Sequence, residues 1–276
     1  MQAYQRWKPP SGVLGTLVAE SWVRAAALAD RHGELVRLAQ ARPAPPPFAA
    51  ALRRADVALV TEVKRRSPSK GAINPALDLI AFVRGYSAGG ASALSILTQT
   101  SHFGGRVEDL AAAADAVTVP LLRKDFLVAP VQLAEARALG ASAVLLIARA
   151  VPPALLGDLA ACALELGLET LVEVRDEAEL ALAAELGAAV IGVNTRDLET
   201  LAIDAATGDR LVPQIPAGSV GVWESGVASR ADVERAARAG ADAVLVGSSL
   251  SAAPDPRGAV AALTGVPVRG RPVAAA

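Results

Sequence analysis

Short apolar runs alternate along the chain with Ala- and Leu-rich segments whose apolar positions recur every three and four residues. Eight such runs stand out: ALVTEVK, SALSILT, VPLLRKDF, AVLLIA, TLVEV, AVIGVN, VGVWES and AVLVGS. They are short, mostly β-branched and apolar on both faces, the pattern of parallel strands covered on each side. A strand followed by a helix, repeated eight times in roughly 200 residues, predicts an α/β protein built as a closed (β/α)8 TIM barrel. An open doubly wound sheet fits less well, because no GxGxxG follows the first run.

Ahead of the first unit, residues 12–41 (GVLGTLVAESWVRAAALADRHGELVRLAQA) have helical spacing and end at RPAPPPF, a proline cluster that no helix continues through. The expected organisation is an N-terminal helical extension with a proline-rich linker over 1–47, a barrel over 48–265 and a tail over 266–276. The extension is expected to cap one mouth of the barrel. The tail, GVPVRGRPVAAA from residue 265, shows no periodicity and is expected to fray.

Polar residues close several of the apolar runs. A strand covered on both faces has to carry its charges at the rim, and in a barrel of this kind the C-terminal rim holds the chemistry. The residues there are Glu62 and Lys64, Lys124, Glu173, Asn194, Glu224 with Ser225, and Gly247 with Ser248. Glu62 and Lys64 stand two apart and share one strand face, Thr61 and Val63 the other. Three carboxylates and two ammonium groups at one mouth would relieve each other's burial and shift each other's pKa, as acid and base catalysis needs. The bland alternative is a salt-bridge ring closing the barrel. Glycine turns after the seventh and eighth runs suit a phosphate, since backbone N–H groups approach oxyanions there.

Composition sharpens this reading. Of 27 basic residues only Lys8, Lys64, Lys70 and Lys124 are lysine, so the two rim lysines stand where arginine would otherwise serve as a generic cation. A net charge of -1 marks no nucleic-acid surface, and no uncharged apolar run reaches the length of a membrane span. The start MQAYQRWKPPSG lacks the apolar core of a signal peptide, so a soluble cytoplasmic protein is expected. Cys162, the one cysteine, is expected to pack as a small core residue, and His32 to lie on a solvated helix face. With so few cysteines and histidines no transition-metal site is expected. Oligomeric state leans to a monomer, with a homodimer left open.

The segments TEVKRRSPSKGAI, SILT followed by Phe103, VPLLRKDF, LVEV, IGVNTRDL, ESGV and GADAVLVGSSL, in this order over about 56–252, resemble the indole-3-glycerol phosphate synthase family. The resemblance implies cofactor-free conversion of 1-(2-carboxyphenylamino)-1-deoxyribulose 5-phosphate to indole-3-glycerol phosphate, carbon dioxide and water. By the same matching, Lys124 is the acid at the ketone oxygen and Glu173 the acid or base of the later steps. Lys64 stands near the substrate carboxylate or serves as the dehydration acid. Glu62 tunes the lysines, Asn194 holds a substrate hydroxyl, and Glu224 with Ser225 completes the rim. Gly226, Gly247 and Ser248 take the phosphate. Phe103, Phe126, Leu145 and Pro68 wall the anthranilate ring, with Arg196 and Ser67 nearby, while Arg123 and Asp125 point away from Lys124 and hold loops or helices.

Trp223, Gln99 and Arg106 depart from the family's usual residues, which suggests altered loop packing on the anthranilate side. Two other functions use the same rim: a Schiff-base aldolase or isomerase with Lys124 as nucleophile, and a non-catalytic sensor of a phosphorylated metabolite.

Overall fold

In the computed structural model, which describes residues 7–271, each of the eight apolar runs contains a strand. These are β1 (Ala58–Val63), β2 (Ala93–Leu97), β3 (Leu121–Lys124), β4 (Ala143–Ile147), β5 (Glu169–Val174), β6 (Val190–Asn194), β7 (Val220–Glu224) and β8 (Ala243–Val246). All pair in parallel with their sequence neighbours, and β1 pairs with both β2 and β8, so the sheet closes into a barrel with no free edge.

Ordinary helix chemistry links the strands. Asp176 caps the helix Glu177–Glu185 by accepting from the Glu179 N–H, and Ser229 with Asp232 forms a capping box for the helix Arg230–Arg238. Cys162 lies half-buried at the margin of the core, on a helix whose buried face is Leu156, Leu159 and Ala163.

The extension is helical as its spacing predicts: α1 (Gly12–Leu28), one 3-10 turn, then α2 (His32–Ala41). By length and composition the run Gly12–Ala41 could cross a membrane, but here it packs on the barrel. In α1, Val13 and Leu17 reach the cavity at the C-terminal mouth. Arg24 pairs with Asp125 at 2.8 Å, and buried Ser21 accepts from Gln132 Nε2 at 2.9 Å. Below the barrel, α3 (Phe48–Leu52) buries Phe48 and Leu52 completely. The Phe48 and Ala49 N–H groups donate to the carboxylate of Glu169, the first residue of β5.

The tail differs from expectation. Val57 N–H donates to the Val266 carbonyl at 2.8 Å and Val268 N–H to Ala55 at 2.9 Å, with Val266 buried. Arg271 then pairs with Asp242 at 2.6 Å and donates to the Ser219 carbonyl. A two-residue pairing with the approach to β1 leaves no local periodicity, so residues 266–271 look structureless in sequence although they are tied down. Residues 272–276 of that tail, like residues 1–6 of the N-terminal segment, lie outside the described residues.

Candidate active site

Alternation along β3 and the residue after it sorts LLRKDF. Arg123 points outward, where it pairs with Glu135 at 2.8 Å and donates to the Gln132 carbonyl and to Thr98 Oγ1. Asp125 accepts from Thr98 Oγ1 at 2.7 Å and pairs with Arg24, tying β2, β3 and α1 together. Lys124, between them, turns into the mouth. Its Nζ lies 3.1 Å from Glu224 Oε2 on β7 and 3.3 Å from Glu173 Oε2 on β5.

On β1, Lys64 Nζ lies 2.5 Å from Glu62 Oε1, so the shared strand face does bring that pair together. Asn194 Nδ2 donates to Glu173 Oε1 at 3.0 Å, and Asn194 Oδ1 accepts the Arg196 N–H. Glu62, Glu173 and Glu224 are all nearly inaccessible to solvent.

Burial decides the electrostatics. It pushes the Glu224 carboxyl up to about 8, an effect that Lys124 opposes and the Glu173 charge reinforces. Burial alone would lower Lys124, but Glu224, Glu173 and Glu62 outweigh it and hold the ammonium above its ordinary range. Two buried acid and ammonium contacts, Glu62 with Lys64 and Glu173 and Glu224 with Lys124, thus offset one another's burial at the mouth. Gly192 on β6 makes room for this arrangement, because a Cβ there would overlap Glu224 Oε1.

The cavity has two unlike ends on opposite halves of the barrel. After β2, β3 and on β4 stand Phe103, Phe126 and Leu145, with Ser67 and Pro68 from the β1 loop alongside. The Phe103 and Phe126 rings lie 6.1 Å apart, tilted by 36°. After β7 and β8 stand Ser225 and Ser248. Arg196 also lines the cavity, and its guanidinium donates to the Leu201 carbonyl at 2.8 Å.

Three residues expected at the site stand behind its surface. Glu224 forms the floor beneath Lys124, Gly226 follows Ser225 with φ 74°, and Gly247 precedes the short helix Ser248–Ser251. Gly247 also backs Glu62, whose Oε1 a Cβ would overlap.

Other contributors carried no sequence signal. The Ser251 hydroxyl donates to the Glu62 carbonyl and accepts the Lys64 N–H, both at 3.0 Å, so it pins the backbone that presents the acid and ammonium pair. Leu198 and Leu201 add apolar wall from the β6 loop.

Of the three departures, Gln99 has a visible purpose. Its Oε1 accepts the N–H groups of His102 and Phe103, and its Nε2 donates to Ser101 and to Glu20 of α1. The loop carrying Phe103 is thereby fastened to the extension. Arg106 stands exposed at the start of the helix Val107–Ala116 and caps nothing; no feature of the structure explains it.

A closed parallel barrel with buried acid and ammonium pairs at its C-terminal mouth defines the chain as a (β/α)8 barrel enzyme. Solved structures share the fold: 3-hexulose-6-phosphate synthase from Salmonella typhimurium superposes with TM-score 0.61 at 17% identity over 75% of this chain and 96% of that one. A mutant tryptophan synthase alpha-subunit from Pyrococcus furiosus gives 0.58 at 17% over 76% and 98%. Sequence similarity is more specific. The indole-3-glycerol phosphate synthase of Opitutus terrae is 47% identical over 83% of this chain and 88% of its own. Indole-3-glycerol phosphate synthase 2 of Streptomyces coelicolor is 46% identical over 92% and 100%. The sequence model described as indole-3-glycerol phosphate synthase matches residues 17–263, and the chain belongs to that family.

Proposed function

We propose that this carboxy-lyase closes the indole ring of 1-(2-carboxyphenylamino)-1-deoxyribulose 5-phosphate with Lys124 as the group that receives the developing oxyanion. The supporting observation is the Lys124 ammonium, held between Glu224 and Glu173 at 3.1 and 3.3 Å in a cavity aromatic at one end and hydroxyl-bearing at the other. The aromatic carbon bearing the carboxylate attacks the ketone carbon, and the electron pair moves to the ketone oxygen. An ammonium fixed at that oxygen stabilises the charge and delivers a proton.

Carbon dioxide then leaves and its electron pair returns to the ring. The new hydroxyl departs as water while a proton of the new five-membered ring is lost, a step for which Glu173, oriented by Asn194, is suited as the base. Lys64, on the β1 side, is suited to the substrate carboxylate or to the departing hydroxyl. Phe103, Phe126, Leu145 and Pro68 suit the anthranilate ring, and Ser225, Gly226, Gly247 and Ser248 suit the phosphate.

A Schiff-base mechanism is less well supported. It needs a neutral amine, and the surrounding carboxylates keep Lys124 charged. The same reading takes the enzyme to act as a cytoplasmic monomer. The test is incubation with the substrate in the absence of metal and cofactor, following indole fluorescence. Product accumulation is expected, whereas borohydride trapping of a lysine adduct would point to the aldolase reading.

A further inference from the structure

Trp223 is buried on the outward face of β7, one residue before Glu224, and does not touch the cavity. Its indole N–H donates to the Ser225 carbonyl at 3.2 Å. Ser225 has φ 67° and Gly226 has φ 74°, so two consecutive residues hold the left-handed conformation, which a residue with a Cβ seldom adopts. Something outside the turn has to keep Ser225 there.

Two donors are available. The Thr195 hydroxyl lies 3.1 Å from the Glu224 carbonyl and 3.3 Å from the Ser225 carbonyl and divides one proton between them. The indole N–H is given to Ser225 alone. The ring itself has no room to swing. Its six-membered edge rests on Gly208 of the helix Ala205–Leu211, where any Cβ would overlap it. Arg235, held by Asp209 at 2.5 Å, sits over the ring 5.9 Å from its centroid.

We propose that Trp223 is a positioning residue for substrate binding: its wedged indole fixes the Ser225 carbonyl and so the left-handed Ser225–Gly226 turn that borders the phosphate end of the cavity. The proposal rests on the reading of that end as the phosphate site.

Trp223→Phe keeps an aromatic side chain at this position of β7 and removes the N–H. Steady-state kinetics of this variant should show KM raised about five- to tenfold, the loss of one hydrogen bond, with kcat within about twofold and the melting temperature within a few degrees. Wild-type KM with a lowered melting temperature would overturn the proposal and leave Trp223 as packing. Should that variant not fold, Gly208→Ala displaces an intact indole and should raise KM in the same way; unchanged KM there would equally overturn it. Ser248→Asp, measured alongside, should raise KM sharply by setting a carboxylate against the phosphate. An unaltered KM in Ser248→Asp would overturn the phosphate reading itself and the proposal with it, a failure distinct from that of Trp223→Phe.

Discussion

Lys124 Nζ stands 3.1 Å from Glu224 Oε2, and the two come from strands on opposite sides of the barrel, β3 and β7. The contact joins a buried carboxyl that resists ionisation to an ammonium that resists deprotonation, and the sign of each shift has consequences.

Glu224 should impose a pH dependence on stability. A free glutamate gives up its proton near 4.5, while Glu224 keeps it to about 8. The folded state therefore binds more protons across that window, and the stabilisation, fully present below about 4.5, is lost as pH rises through about 8. Melting temperature measured from pH 5 to 9 should fall more steeply in the wild type than in Glu224→Gln. Parallel curves would show that Glu224 ionises normally.

Gly192→Ala should damage catalysis through Glu224. The added methyl overlaps Glu224 Oε1 and has to push the carboxyl away from Lys124. A large fall in kcat is expected, with destabilisation of about 1–3 kcal/mol from overpacking in thermal or urea unfolding. Kinetics matching the wild type would mean that the Lys124 and Glu224 contact is dispensable.

Gln99→Ala should loosen the aromatic end. It leaves the His102 and Phe103 N–H groups without their acceptor and removes one of the loop's contacts with Glu20 of α1, those from Ser101 and His102 remaining, for a cost of about 1–3 kcal/mol. Because Phe103 lines the cavity, KM should rise while the chemical step stays intact. Destabilisation with unchanged KM would separate this loop from substrate binding.

The legible part of this chain was what physics writes locally. The barrel strands are buried on both faces along most of their length and therefore read as largely apolar runs, and alternation alone put Glu62 beside Lys64 and turned Arg123 away from Lys124. What escaped depends on distant partners. Residues 266–271 pair with the approach to β1, and α3 is five residues long after a proline cluster, too short for a helical period to show. The short hairpin Arg66–Ser67 with Gly71–Ala72 is likewise too brief for alternation. Ser251 supports Glu62 and Lys64 from 187 residues or more away, and Trp223 finds its meaning only when folding brings Gly208 beneath its ring. Gln99 stood out in sequence as a departure, but its contact with Glu20 required α1 to be laid across the mouth.

The central claim is that Lys124 stabilises and protonates the ketone oxygen, and Lys124→Met tests it most directly, since methionine fills a similar volume without charge. Turnover of 1-(2-carboxyphenylamino)-1-deoxyribulose 5-phosphate, followed by indole fluorescence, should fall about 10²- to 10⁴-fold with KM changed little, as expected for loss of a positioned acid. Turnover within a few-fold of the wild type in a correctly folded Lys124→Met protein would contradict the account and move the acid elsewhere in the mouth.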